Sequence, residues 1–190
     1  MAIVTNERGM AIYLSRLPVC SSMISYLAQR AAQVVPKVLC SGSQANLHVH
    51  EADLPSIYYF IKAVVQRSSF PVPTLITSLV YMWRMQTRLP PGAKGMPSTP
   101  HRIFLAALIL AAKNLNDDSP MNKHWARYSA VPGYEPFGFS IAEVNLMERQ
   151  FLHLLDWDIR IDPQDLHHQL EPLLSLDMFG AITDMIKDEI

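Results

Sequence analysis

The sequence feature that most restricts the fold is an unbroken apolar run over residues 103–112. Its ten residues fall far short of the roughly 20 that a membrane-spanning helix requires. A buried strand of a parallel sheet is the competing interpretation, but the length and the four alanines of the run favour a helix. Because a helix that is apolar on every side must be covered by its neighbours, the run predicts the central helix of a folded core. Lys113 ends this helix.

Apolar residues elsewhere recur at helical spacing, and no segment shows the alternation typical of a strand. We therefore predict an all-α bundle around the buried central helix. Three further helices are expected before the apolar run. The first lies between Pro18 and Pro36, the second follows an N-cap at Asp53 with Pro55 in its first turn, and the third follows Pro71 with Trp83 facing inward. After the run we expect a short helix over residues 122–128, a long one that starts at a capping box of Ser140 and Glu143, and a last one between Pro163 and Pro172.

The charge of the chain is nearly balanced but unevenly placed. Of 190 residues, 49% are hydrophobic, and 16 Lys and Arg stand against 17 Asp and Glu. This composition excludes disorder as the main state, and without a run of Lys or Arg the chain is a poor binder of nucleic acid. Nine acidic and two basic residues fall within residues 156–190. No export signal or membrane span is evident, so we expect an intracellular protein with no membrane contact.

The usual signatures of catalysis are missing: there is no G-x-S-x-G, H-E-x-x-H, C-x-x-C or Walker loop. His48 and His50 form an H-x-H pair downstream of Cys40, and His167 and His168 form a second pair. Neither set has the four-ligand spacing of a structural zinc site. We therefore expect no enzymatic activity, no cofactor and no bound metal.

Two charged residues occupy unusual positions. Glu148 falls inside the apolar stripe that Val144, Phe151 and Leu155 form on the last long helix. An ionised carboxylate there is costly unless it is paired or hydrogen-bonded. Lys113 ends the most apolar helix, where a lysine also complements the helix dipole. If the two helices pack, the pair forms a polar spot that is either a structural salt bridge or a device that orients a partner's backbone.

Several blocks of the sequence resemble the cyclin box, in the order and at the spacing of that family. "HRIFLAALILAAKNLND" followed by "EVNLMERQFLHLLDWDIRI" is similar to its core, and "SPMNKHWARYS" and "FPVPTLITSLVYMWRM" resemble the fungal Pcl/Pho subfamily. The resemblance implies a single five-helix cyclin box over residues 53–160. We expect an N-terminal helix and linker over residues 1–52, and an acidic C-terminal helical segment over residues 161–190.

The resemblance also implies a binding face on the third and fifth helices of the box. In the family a Lys at the end of the third helix and a Glu within the fifth contact a kinase, and these positions match Lys113 and Glu148. The family's surrounding apolar contacts fall on four further residues, which are Leu110, Leu152, Trp157 and Ile159.

Three positions depart from the family pattern. The aspartate that usually precedes the arginine of the second helix is Trp83 here, so Arg84 lacks its usual acidic partner. The residue after the lysine, often aromatic in cyclins, is Asn114, which weakens or re-shapes the contact. "LPSIYYFIK" does not match the motif by which animal-type cyclins dock substrate peptides, so we do not expect that docking site.

The resemblance implies a regulatory subunit that binds and activates a fungal cyclin-dependent kinase through its αC helix and activation segment. The chain is then expected to contact kinase substrates only indirectly, through the kinase. The implied process is G1/S progression and morphogenesis, in the nucleus and cytoplasm, with phosphate or glycogen metabolism as the alternative. A cyclin-fold adaptor of the transcription-factor type is a further alternative, against which the near-zero net charge argues.

Overall fold

The fold is described by a computed structural model for residues 17–35 and 54–175. These residues form seven α-helices and no β-strand, which confirms the all-α prediction. The helices are α1 (Ser21–Val34), α2 (Ile57–Ser68), α3 (Val72–Arg88), α4 (Thr99–Leu115), α5 (Asn122–Tyr128), α6 (Ile141–Leu154) and α7 (Pro163–Ser175). Within the two described stretches, no helix has the length and apolar character needed to cross a membrane.

The apolar run forms the centre of the core, as the sequence predicts. It lies in α4, where each of residues 103–112 is at most 5% exposed. α4 packs most extensively against α3 and α6, and it also contacts α1 and α2. α3 and α4 are the pair of helices with the most extensive packing in the described residues, and the helices α1, α2 and α6 pack against one or both of them.

The first helix belongs to the same core as the box. α1 buries Met23, Leu27 and Ala31, and it packs against α2, α3 and α4. The linker predicted to follow it, up to residue 52, lies outside the described residues. The predicted boundary between N-terminal segment and box therefore stays a prediction.

The start of α2 differs from the sequence prediction. The helix begins at Ile57 with Ser56 as its N-cap, so that Pro55 precedes the cap and does not lie in the first turn. The Ser56 hydroxyl accepts a hydrogen bond from the Tyr59 backbone N–H at 3.3 Å. A serine directly before the first apolar position satisfies an orphan N–H that a more distant residue would not reach. Asp53, the predicted cap, lies outside the described residues.

The last described helix corrects a second prediction, in which Pro172 ended it. The proline lies inside α7, which continues to Ser175. A proline within a helix costs roughly 3 kcal/mol because it removes a backbone N–H and crowds the preceding turn. Burial of Leu170 and Leu173 on either side of it offsets that cost.

Trp83 lies half-buried beside α7, whereas the sequence predicts that it faces the core. Its ring centroid is 5.5 Å from that of His168. α3 is therefore covered by α7 as well as by α4 and α1. The helical pattern of α3 shows that it has a buried face, but nothing in it tells which distant helix lies beside Trp83.

α6 begins with the capping box that the sequence predicts. The Glu143 backbone N–H donates to the Ser140 hydroxyl at 3.3 Å, and the Ser140 N–H donates to a Glu143 carboxylate oxygen at 2.9 Å. Arg102 of α4 donates to the other carboxylate oxygen at 2.7 Å. Burial acts to raise the pKa of Glu143, but the hydrogen bonds from Ser140 and Arg102 outweigh it and hold that pKa below its ordinary value.

Glu143→Gln is expected to make the protein less sensitive to acid. Because the folded-state pKa of Glu143 lies below the ordinary value of 4.5, its carboxylate stabilises the fold above that pH and loses this effect as the pH falls through the folded-state pKa. Thermal unfolding from about pH 7 to pH 3 should therefore show a smaller loss of stability in the variant than in the wild type. Glu171→Gln, at an exposed position on α7, is the control. Equal acid sensitivity of Glu143→Gln and the wild type would contradict this role.

Candidate functional site

Lys113 and Glu148 form an ion pair between α4 and α6. Lys113 lies in the last turn of α4, and Glu148 lies in the middle of α6. Packing of the two helices brings Lys113 Nζ to 2.5 Å from Glu148 Oε1. The lysine side chain is 37% exposed and the glutamate side chain 14%, so the pair lies at the edge of the core with the lysine outermost. The contact predicted between these two residues is confirmed.

The second carboxylate oxygen of Glu148 is held by a residue that the sequence analysis missed. The Asn122 side-chain amide donates to Glu148 Oε2 at 2.6 Å and to Asn145 Oδ1 at 2.7 Å. Asn122 is the first residue of α5, and Asn145 lies on α6. Each oxygen of the mostly buried carboxylate therefore has a donor, as its burial requires. The one feature of the sequence that could have pointed to Asn122 is its position as a polar residue at the start of a predicted short helix.

In the cluster of Lys113, Glu148 and Asn122, one acceptor has no donor, and the lysine can form further hydrogen bonds. Both amide protons of Asn122 are used, while its Oδ1 is buried without a hydrogen-bond partner among the described residues. An unsatisfied buried acceptor costs roughly 1–3 kcal/mol. The Asn122 amide is therefore oriented so that its NH₂ group donates to Glu148, although its own oxygen then has no donor. The Lys113 ammonium has three protons, of which Glu148 accepts one. The lysine can therefore still donate to carbonyl oxygens of a partner.

Apolar side chains that are exposed or half-buried lie on α6, at the end of α4 and in the segment that follows α6. Leu152 follows Glu148 by one turn of α6 and is half-buried, as is Ile159. Trp157 is 67% exposed, and Leu115 at the end of α4 is 46% exposed. Fixed charges and exposed apolar side chains are both features from which protein interfaces are made.

Leu110, which the resemblance assigns to the binding face, lies in the core instead. It precedes Lys113 by one turn of α4 and is 3% exposed. A side chain with so little surface cannot contact a partner in this conformation, so its part is to pack beneath the turn that carries the lysine. A resemblance assigns a position in the sequence, but the depth of that position depends on the packing of the other helices.

An unusual turn brings Trp157 to the surface. Asp156 and Trp157 have φ angles of 53° and 60°, in the left-handed region that residues with a Cβ rarely occupy. The Trp157 N–H donates to the Leu152 carbonyl at 2.9 Å, and the Asp156 N–H donates to the His153 carbonyl at 3.0 Å. These two bonds form a Schellman motif, which ends α6 abruptly and leaves the indole exposed.

No metal centre is found in the part of the chain that the structure describes. Within residues 17–35 and 54–175, no three His, Cys, Asp or Glu side chains come together as a metal site requires. His48, His50 and Cys40 lie outside those residues.

Comparison with known proteins identifies the family. The family model described as "Cyclin, N-terminal domain" matches residues 22–160, which include α1 to α6. The chain belongs to the cyclin family. Its relatives include PHO85 cyclin-1 of Saccharomyces cerevisiae, which is 43% identical over 164 residues, and these cover 85% of this chain and 56% of that protein.

Two more yeast proteins give the same result. PHO85 cyclin-2 is 37% identical over 161 residues, covering 84% of this chain and 49% of that protein. PHO85 cyclin-9 is 38% identical over 163 residues, covering 86% and 50%. The predicted resemblance to the fungal Pcl/Pho type of cyclin is confirmed. The chain spans about half the length of these curated relatives.

Proposed function

We propose that this chain binds and activates a fungal cyclin-dependent protein kinase as its regulatory subunit. The observation that carries the proposal is the Lys113–Glu148 ion pair at the edge of the core, in a chain of the cyclin family that also exposes Trp157 just after α6. The similarity to three PHO85 cyclins supports a kinase of the class that such cyclins serve.

In this proposal the face formed by α4 and α6 meets the αC helix and activation segment of the kinase. Leu152, Trp157 and Ile159 supply the apolar contacts. Lys113 donates to backbone carbonyl oxygens of the kinase, and the Glu148 carboxylate holds the lysine in place and accepts from a backbone N–H. Charge-assisted hydrogen bonds of this kind are short and directional, so they fix the register of one helix on another.

The chain performs no chemistry in this mechanism. A protein kinase is active only when its strand lysine pairs with the glutamate of its αC helix and its catalytic aspartate and metal ions are in place. A partner that binds the αC-in state more tightly than the αC-out state shifts the population toward it by that difference in affinity. Activation then follows from binding energy alone.

We further propose that the process served is G1/S progression and morphogenesis, with the protein in the nucleus and cytoplasm. The support is the resemblance of the "NKHWARYS" block to the members of the subfamily that serve this process. Phosphate or glycogen metabolism is the alternative within the same subfamily, and the kinase's substrates would distinguish the two.

The proposal is tested by mixing the purified chain with a purified fungal cyclin-dependent kinase and measuring both binding and turnover of ATP on a generic Ser/Thr-Pro peptide. We expect a complex and a rise in turnover, with no turnover by the chain alone. A folded chain that neither binds nor activates the kinase, but binds DNA or RNA at low salt, would favour the adaptor of the transcription-factor type instead.

Asn122→Ala is expected to weaken kinase binding by about tenfold, the effect of losing one charge-assisted hydrogen bond. Without the amide, Glu148 Oε2 loses its donor and the carboxylate is free to turn away from Lys113. Asn145→Ala is the matched control, because Asn145 touches Asn122 but not the carboxylate. Titration calorimetry with the kinase measures both. Equal affinities for the two variants would show that Asn122 does not position Glu148.

A further inference from the structure

Arg84 on α3 binds two neighbouring segments that are remote from it in sequence, residues 158–160 and the first turn of α7. Its guanidinium Nη1 donates to the backbone carbonyls of Asp158 at 3.3 Å and Arg160 at 2.7 Å. Its Nε donates to Asp165 Oδ2 at 3.0 Å, and its Nη2 also pairs with that oxygen. The arginine side chain is 13% exposed and that of the aspartate 23%. Arg84 therefore has an acidic partner on α7, in place of the aspartate that its own helix lacks.

The carbonyl between those two is held as well. The Tyr81 hydroxyl, one turn before Arg84 on α3, donates to the Ile159 carbonyl at 2.7 Å. Asn114 of α4 donates to the same oxygen at 3.2 Å. Burial raises the pKa of Tyr81 to about 12, so the phenol keeps its proton and remains a donor. The asparagine that replaces an aromatic residue of other cyclins thus has a role within this chain.

Three side chains of α3 and α4 therefore hold three consecutive backbone carbonyls, at residues 158–160. These carbonyls directly follow the left-handed turn at Asp156 and Trp157, a conformation that persists only where the surroundings determine it. Arg88, one turn further along α3, has only a loose contact to Asp156, at 3.9 Å. The donors that fix the segment are therefore those centred on Arg84.

We propose that Arg84 is a positioning residue for kinase binding, which holds residues 158–160 so that Trp157 and Ile159 are ordered before the kinase arrives. Asp165 orients the guanidinium, so α7 acts together with the binding face although it lies outside the matched cyclin region. This inference rests on the proposed function. A segment that is ordered in advance loses less conformational freedom on binding, and the complex is correspondingly tighter.

The test combines amide hydrogen exchange with kinase binding in Arg84→Gln and Asp165→Asn, with Arg88→Gln as the matched control. In both test variants we expect exchange in peptides spanning residues 155–161 to quicken by about tenfold while exchange in α4 stays unchanged. The dissociation constant of the kinase complex should rise by about tenfold, as for one charge-assisted hydrogen bond. Arg88→Gln should leave both quantities unchanged.

Three results would overturn the inference. Exchange in residues 155–161 that stays slow would show that Arg84 does not hold the segment. Exchange that quickens throughout α4 as well would make Arg84 a general stabiliser of the fold. A loosened segment with unchanged affinity would show that its order does not matter to the kinase. If Arg84→Gln does not fold, the result for Asp165→Asn tests the inference by itself. A wild type that fails to bind the kinase contradicts the proposed function, and the exchange result remains a separate test of whether Arg84 holds the segment.

Discussion

Replacing Lys113 by alanine is expected to weaken the complex with a cyclin-dependent kinase by about 30-fold to 5000-fold, and to abolish activation at kinase concentrations at which the wild type is saturated. Truncating one partner of a desolvated charge pair at an interface costs roughly 2–5 kcal/mol. Part of this loss comes from Glu148, whose carboxylate would remain mostly buried in the complex with no cation beside it. Titration calorimetry and a peptide phosphorylation assay measure the two effects.

Glu148→Ala should reduce binding to a similar extent, because the lysine then loses the group that holds its ammonium in place. The free energy of unfolding should change by only about 1 kcal/mol, since Lys113 is partly exposed and can turn to solvent. Lys123→Ala, at an exposed position on α5, is the control for the loss of a positive charge. If Lys113→Ala or Glu148→Ala unfolds, the pair is a structural salt bridge and its assignment to the kinase fails.

Two tryptophans of this chain should give opposite results when each is replaced by alanine. Trp125 is fully buried, its ring stacks on Phe70 with centroids 5.6 Å apart, and its Nε1–H donates to the Pro120 carbonyl at 3.1 Å. Trp125→Ala should lower the free energy of unfolding by about 3–5 kcal/mol, because it leaves a large cavity and an unsatisfied carbonyl. Chemical denaturation with matched m-values is the measurement.

Trp157→Ala is the matched control for that loss. With 67% of its surface exposed, Trp157 contributes little to the core, and its replacement should change the free energy of unfolding by less than about 0.5 kcal/mol. Kinase affinity should nevertheless fall by at least about tenfold, because buried tryptophans are frequent energetic centres of protein interfaces. A Trp157→Ala variant with full affinity would remove this residue from the proposed face, whatever the outcome at Trp125.

The central helix and the ion pair could be predicted from the sequence because local rules determine both. An apolar run over residues 103–112 has no stable place except a core. Glu148 on an apolar stripe requires a donor nearby, and Lys113 ends the one helix that must lie at the centre of the bundle. The capping box at Ser140 is likewise a pattern of four residues that depends on nothing else in the chain.

The supporting contacts could not be predicted, because they join residues that no periodic pattern relates. Asn122 reaches Glu148 only through the packing of α5 on α6. Arg84 donates to Asp165, which lies 81 positions further along the chain. The sequence therefore shows that Arg84 lacks its usual acidic neighbour, but it does not show that Asp165 replaces that neighbour. The depth of Leu110 also depends on tertiary packing, which is why a position assigned by resemblance to the surface lies in the core.

The most direct test of the proposed function is kinase binding by the charge-exchanged double variant, Lys113→Glu with Glu148→Lys, beside the wild type. The exchange keeps an ion pair between α4 and α6, so circular dichroism and thermal unfolding should show a folded protein, but it reverses the polarity presented to a partner. We expect the wild type to bind and activate a fungal cyclin-dependent kinase and the folded double variant to do neither. Equal binding and activation by the two proteins would contradict the account.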